Sequence, residues 1–467
     1  MGTLTALLNL SQSALEANQA AIDITSNNVA NANTPGYTDE LAIWTENDTV
    51  SLSGAPPAGE GASVSQTSQR DPVLNQRVQQ QTQMESSSSA ESTALTALQS
   101  IFGITSSSSS VVSTTIGADM NSFFSSLSAL QANPSDASVR QGVMSAAATL
   151  VSDFNSAADQ IAQQTSGLNQ QVSGVVSQVN TLTTSIAALN LQIESISPNS
   201  DAGTLEDQRQ QDLTQLSQLI GFDQTKTENN GLTLTTANGA LLVSEGQSFA
   251  LGTADVSGNT DVTSSTGQDI TSALTGGSLG GILQARDIDL PQVAAQLDQN
   301  AYGITLLVNQ QNEAGVDANG NPGTAIFYTA QNVNGAARTL ALATTDPNAL
   351  AAASQGEGSS GGTNATALAG LVNVPMANGQ TAPAYYASLL TQLGSKVSQV
   401  ADENTTQQAS LTQLTTQQSS QSSVSLDQEA SNLTLYERSY DAAAKVFTIV
   451  DQLMASALNL GEETTVS

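Results

Sequence analysis

Apolar side chains recur at fixed intervals at both ends of the chain. Over residues 3–30, Leu8, Leu15, Ile22 and Val29 fall every seven positions, with Leu4, Ser11, Asn18 and Thr25 interleaved at three- and four-residue spacing. That pattern predicts one helix carrying a heptad seam with an apolar column and a mostly polar one. Ala14 and Ala21 flank the apolar column and leave room for close approach. The polar column weakens the helix as an independent coiled coil, and buried polar residues of this kind can fix register. At the other end, Leu426, Leu433, Tyr440, Phe447 and Met454 again fall every seven positions. Tyr436, Ala443, Val450 and Ala457 follow three residues later in each heptad, and only Glu429 breaks the second column. This is the strongest seam in the chain.

Between these ends the pattern is mostly helical. The first helix stops at Asn31-Ala32-Asn33-Thr34-Pro35-Gly36-Tyr37, because the residue before proline avoids helical geometry and Pro35-Gly36 suits the centre of a type II turn. Residues 41–69 read as a linker or small extended element, with Gly54, Pro56, Pro57, Gly59 and Gly61. Helices are expected over 71–104 and 116–130, separated by a serine-rich loop at 106–110. Over 135–196, Leu168, Val172, Val175, Val179, Leu182, Ile186, Leu189, Ile193 and Ile196 alternate four- and three-residue steps. Ser135 and Asp136 offer caps for this segment, which as one helix would span roughly 93 Å. Helical texture returns at 204–220, 280–313 and 385–421. Hairpins are expected over 222–275, with Asn229-Asn230-Gly231 and Asn238-Gly239 as turns. Residues 316–363 read as Gly/Asn/Ala-rich strands and loops. The expected fold is mainly α, an elongated long-helix bundle with terminal coiled-coil helices and a β-rich insertion. Residues 1–60 and 424–467 form a terminal coiled-coil assembly domain in this reading. A helical rod domain takes 61–221, 276–315 and 364–423, and a β-rich region takes 222–275 and 316–363.

Composition narrows the chemistry. The 467 residues carry 10 Lys+Arg against 41 Asp+Glu, a net charge of −31, with no basic residue before Arg70. Such a chain does not neutralise phosphates or dock on an anionic bilayer, so neither nucleic acid nor membrane is an expected partner. No apolar run approaches the length of a membrane helix, and the N-terminus lacks the basic start of a cleavable secretion signal. With no Cys and no His, there is no thiolate ligand, no Ser-His-Asp triad and no HExxH zinc site. Asp317, Asn319 and Asn321 share the odd spacing of a calcium loop, but position 328 is Tyr where a bidentate Glu is needed. Asp287 and Asp289 stand two apart, off a common helix face, and read as solvated surface. The glycines of 276–281 lack the following Lys-Ser/Thr of a phosphate loop and read as a breaker before a helix. No catalytic residue, cofactor or metal is expected.

Specific stretches then carry a resemblance. Ser26-Asn27-Asn28-Val29-Ala30-Asn31-Ala32-Asn33-Thr34-Pro35-Gly36-Tyr37 resembles the N-terminal signature of bacterial flagellar rod, hook and hook-associated proteins. Several interior stretches are similar, more narrowly, to hook–filament junction proteins of that family. They are Ala132-Asn133-Pro134-Ser135-Asp136 with Arg140-Gln141, Val179-Asn180 with Ile186-Ala187-Ala188-Leu189-Asn190, and Asp207-Gln208-Arg209. The run from Gly276 to Asp287, and the close from Ser425 through Tyr440 to Val446, are similar too. The short β-rich region departs from the family pattern and implies a reduced outer domain.

The resemblance implies a non-enzymatic axial protein that leaves the cell unfolded through the flagellar type III export channel without a cleaved signal. It implies extracellular localisation at the hook–filament junction and self-assembly into a homo-oligomeric ring. The implied partners are the hook protein, a second junction protein or the flagellin side of the filament, and an export chaperone on the C-terminal helix. It further implies terminal helices that order only on assembly, with Leu4, Leu8, Leu15, Ile22, Val29, Leu426, Leu433, Tyr436, Tyr440, Ala443, Phe447, Val450 and Met454 as interface. Another axial protein, of the hook or distal rod, or a secreted coiled-coil adhesin or effector, is the alternative.

Overall fold

The computed structural model describes residues 2–46, 61–103, 115–197 and 201–463. The linker residues read from Gly54 to Gly59 and the serine run at 106–110 lie outside them. Helix α1 (Gly2–Asn31) leads through a turn into β1 (Glu40–Glu46) and β2 (Ala62–Ser68), an antiparallel ribbon with Glu40 opposite Ser68. Helix α2 (Pro72–Ile101) starts where the Asp71 carboxylate accepts the Val73 and Leu74 amides. Helix α3 (Thr115–Ala132) precedes α4 (Ala137–Ile196), which begins on Asp136 in the same way. Its 60 residues give a spine about 90 Å long. Then comes α5 (Thr204–Leu219).

Two small antiparallel sheets lie along α4. One has β3 (Asp223–Lys226), β4 (Leu232–Thr235), β5 (Leu241–Ser244) and β6 (Gln247–Ser248) in sequential order, and the other pairs β7 (Gly252–Val256) with β8 (Asn259–Thr263). The β3–β4 turn places Asn229 and Asn230 at left-handed φ of 56° and 61°, which Asn tolerates better than other side chains. Helix α6 (Gly277–Gln284) passes through a π-helical stretch at Ala285–Asp289 into α7 (Leu290–Glu313). Short helices α8 (Ala336–Thr339) and α9 (Thr363–Gly370) precede the long α10 (Ala382–Ser422) and α11 (Leu426–Glu463).

The core runs along α4. Leu95, Leu98, Phe123, Leu127, Leu130, Leu150 and Phe154 are buried where α2, α3 and α4 meet, and the Phe123 ring stands edge-on to Phe327 at 5.8 Å. The heptad residues Leu168, Val172, Val179, Ile186, Leu189 and Ile193 are buried, whereas Ile196 at the end of the seam is exposed. Side-chain amides on α4 hold the strands. Asn180 pairs with the backbone of Leu251 through both its oxygen and its nitrogen, and Asn190 donates to Leu232 and Glu245 carbonyls. Three buried arginines do the same work: Arg140 donates to the Pro134 and Leu350 carbonyls, Arg209 to Asn230, and Arg286 to Thr260. These interior motif residues are therefore structural clasps, since each supplies a donor to a backbone carbonyl that no ladder satisfies.

Two expectations differ from the structure. Residues 316–363 contain no named strand, only isolated bridges and short helices. Their backbone is satisfied by α7 instead: Asn309 binds the Ile326 and Phe327 amides and the Phe327 carbonyl, and Asn312 binds the Ala351 amide and the Thr324 and Ala349 carbonyls. Asp289 is not solvated surface. The π turn carries it inward to Lys396 at 3.6 Å, while Asp287 pairs with Arg286 at 2.7 Å. Burial, with the neighbouring Glu91 charge, raises the Asp289 carboxyl to about 6 despite Lys396. The Asp317 carboxylate is taken up by its own loop, accepting the Asn319 and Asn321 amides.

Helices α2 and α6 cross at Gly281, where an added Cβ would lie 2.0 Å from the Ser87 carbonyl oxygen. Gly281→Ala is expected to destabilise the long-helix body by about 1–3 kcal/mol, read as a lower calorimetric midpoint.

Candidate assembly interface

Helices α1 and α11 lie side by side and antiparallel, since Asn28 near the end of α1 bonds Glu429 near the start of α11. The β1–β2 ribbon also packs on α1, and Trp44 of β1 stacks at a tilt on Tyr436 of α11 with ring centroids 6.1 Å apart. The face that α1 buries is the small and polar one: Ser11, Ala17, Asn18, Ala21, Ile24, Thr25 and Asn28. Ser11 and Asn18 donate to their own helix, at the Leu7, Leu8 and Ala14 carbonyls, so neither side chain is buried without a hydrogen bond. The apolar column lies at the edge of this contact. Leu4, Leu8, Leu15 and Ile22 are half-buried and Val29 is exposed. On α11, Val450 is buried, Leu433, Tyr436, Tyr440, Ala443, Phe447 and Met454 are half-buried, and Leu426 is exposed.

The turn after α1 does more than end it. The Tyr37 amide donates to the Thr34 carbonyl at 3.2 Å, and Gly36 takes φ of 82°, which closes a type II turn around Pro35 and Gly36. Asn31 accepts the Thr34 hydroxyl, and Asn33, Pro35 and Gly36 are exposed. The reversal brings the Tyr37 hydroxyl onto Asn28 Oδ1 at 2.9 Å and presents the Thr38 amide and hydroxyl to Asp207 of α5. The turn is therefore a bracket between the terminal pair and the long-helix body.

Behind it sits a buried acidic junction. Asp39, Glu40, Asp201, Glu206, Asp207 and Glu429 converge from β1, α5, the loop before it, and α11. Arg70 answers three of them, pairing with Glu206, with Asp207 at 3.1 Å and with Asp201 at 3.8 Å. Asn28 Nδ2 lies 2.8 Å from Asp39 Oδ1 and 3.0 Å from Glu429 Oε2. Burial, then the Glu429 charge, lifts the Asp39 carboxyl to about 6. Glu40 and Asp207 are raised chiefly by burial, and Tyr37 is raised by burial and by the Glu40, Asp207 and Asp39 charges. Among the described residues, no three acidic groups are placed to hold a metal ion, and no helix is long and apolar enough to cross a membrane.

The chain is 26% identical to flagellar hook-associated protein 1 of Escherichia coli K12 over 98% of this chain and 100% of that protein. Similarity to the Bacillus subtilis protein of the same name is 26% over 97% of each. The family model described as "Flagellar hook-associated protein FlgK helical domain" matches residues 95–327. Across 98% of its length, this chain is homologous to flagellar hook-associated protein 1. Models for the flagella basal body rod protein and for the C-terminal part of the flagellar basal body rod FlgEFG proteins match residues 8–38 and 416–460, which are α1 with its turn and α11 with the end of α10. Among solved structures, the flagellar hook junction protein from Burkholderia pseudomallei superposes with a TM-score of 0.67 at 21% identity, covering 74% of this chain and all of that one. That likeness establishes the fold.

Periodicity counting over one seam missed a second one on α11. Leu435, Ala442, Val446, Ile449 and Leu453 follow one another at steps of seven, four, three and four, and all are exposed. Ile449 and Leu453 are 57% and 52% accessible, and Leu7 and Leu10 of α1 are likewise exposed. The terminal pair thus keeps a heptad stripe that no part of its own described chain covers. Removing the carboxamide in Asn28→Ala leaves Asp39 and Glu429 without their shared donor. The expected cost is about 2–3 kcal/mol of terminal docking, seen at about pH 5 as faster amide exchange over 426–440 with α4 unchanged.

Proposed function

We infer that this chain is a structural axial protein of the bacterial flagellum, joining the hook to the filament by self-assembly through its terminal helices. One observation carries the mechanism. The α1–α11 contact buries small and polar groups, with Ile24 and Val450 the only large apolar side chains fully covered among its described residues, while a heptad stripe of larger ones stays in solvent. Each such side chain gains about 1.5–3 kcal/mol when covered. A lone pair of helices so thinly joined is marginal, so neighbouring copies supply the second surface. The interior match over 95–327 favours the junction role over that of a hook or distal rod protein.

The finer reading follows from this. Residues 1–60 with 424–467 act as the assembly domain, the remaining helices as a rod, and the β sheets as its outer trim. The chain leaves the cell by the flagellar export route, with a chaperone covering α11 on the way. It then works outside the cell as a homo-oligomeric ring, with the hook protein on one side and a second junction protein or flagellin on the other. Its mechanism is assembly rather than catalysis.

Deleting the gene is expected to leave hooks without filaments and flagellin shed into the medium. Amide exchange on the unassembled chain at about pH 7.5, above the Asp39 range, is expected to find 1–30 and 425–460 unprotected; strong protection there would defeat assembly-coupled ordering. Phe447→Asp, and separately Ile449→Asp with Leu453→Asp, are expected to keep the helical content of the body while blocking incorporation. Normal filament attachment by both would remove the seam and the stripe from the mechanism.

A further inference from the structure

The Asn28 side chain is short of donors. Its orientation is fixed, because Oδ1 accepts the Glu40 amide at 3.1 Å and the Tyr37 hydroxyl at 2.9 Å. Its two remaining N–H bonds face three oxygens: Asp39 Oδ1 and the Glu40 carbonyl, both at 2.8 Å, and Glu429 Oε2 at 3.0 Å. The outer oxygens of the two carboxylates are already occupied, Asp39 Oδ2 by Gln69 and Glu429 Oε1 by Asn432. All three residues at the centre are almost wholly buried, with Asn28 at 1%, Glu429 at 3% and Asp39 at 7% accessibility. Two carboxylates thus compete for one amide away from water; the Glu40 amide, which also reaches the Asp39 carboxylate, is shared with Asn28 Oδ1, so the pair is left short of a hydrogen.

We propose that the Asn28–Asp39–Glu429 contact is a proton-operated latch, in which one proton taken up by the carboxyl pair closes α1 and α11 onto the long-helix body and its loss loosens them. The proton supplies the third donor and removes the repulsion between the two side chains. Nothing else in the junction can. Arg70, its cation, is held by Glu206, Asp207 and Asp201, and the other facing groups, Tyr37 and Glu40, carry no positive charge.

The sign follows from Asp39. Its carboxyl rises from 3.8 to about 6 in the docked state, through burial and the Glu429 charge. Docking is therefore fully favoured below the ordinary carboxylate range and weakens as pH climbs through about 6, the reverse of ordinary acid denaturation. The latch rests on the assembly reading only for its consequence, which is that an acidic medium favours ordered terminal helices.

Trp44 is the only tryptophan of the chain and stands against Tyr436 of α11, so its fluorescence reports closure. In the unassembled full-length chain, titrated from about pH 4.5 to about 8, one transition near pH 6 is expected, with the docked signal on the acid side. Glu429→Gln brings its own donor without a charge and is expected to hold the docked signal across the range. Asp39→Asn serves the same purpose should the first variant lose its helical circular dichroism. A flat wild-type trace, or an unchanged midpoint in a folded variant, overturns the latch. Filament attachment in vivo is scored separately: a chain that titrates but never joins a filament sinks the assembly reading and spares the latch, and the converse result does the opposite.

Discussion

Buried carboxamides decide where the irregular segments of this protein lie on its apolar core. Aromatic residues make up only 3% of the chain and charged residues 11%, so neither large rings nor ion pairs can carry the architecture. Long helices instead project Asn side chains into irregular segments and satisfy their backbone groups from both ends of the amide. Asn180 does this for Leu251 beside α4, and Asn309 and Asn312 do it for the segment after α7; Asn190 donates to two carbonyls of the sheet while its oxygen accepts from Arg209. An unpaired buried backbone group costs about 1–3 kcal/mol, so each clasp fixes where a loop can lie as firmly as a ladder would. The long-helix body is a scaffold of spines with loops pinned to it.

The same device, placed at the end of α1, gives the molecule its joint. Asn28 gathers the turn, β1 and α11, and Asp207 holds Thr38 from the body side. The terminal pair is attached through this polar junction more than through its own seam. That division suits a part whose ends must be presented to neighbours: the body is fixed by apolar packing along α4, while the ends keep apolar side chains in reserve.

Much of this was legible beforehand. Heptad spacing placed α1 within a residue at each end, marked α11 from Leu426 and followed the second half of α4, and Asp136 marked the start of the spine. The turn geometry of Pro35 and Gly36 followed from conformational preference alone. What escaped has physical causes. Which column of α1 turns inward depends on what faces it, and Ser11, Asn18 and Thr25 are buried against a partner some four hundred residues away in sequence. The Gly/Asn/Ala-rich texture of 316–363 reads as strands and loops, yet helix side chains take the hydrogen bonds that a ladder would supply. Asp289 seemed exposed on α-helical spacing, and the π turn changed the spacing. The Leu435 to Leu453 stripe was visible in principle, but the stronger seam beside it absorbed the search.

Four of the ten cationic side chains, Arg70, Arg140, Arg209 and Arg286, turn inward as clasps or partners. The solvent-facing envelope is left with few positive groups to offset its carboxylates. Copies of the molecule meeting at random in dilute solution therefore push one another away over about a Debye length, roughly 10 Å at moderate ionic strength. Only a geometry that brings greasy stripes into register at short range overcomes that barrier, so stray aggregation is suppressed by the same arginines that fasten the interior.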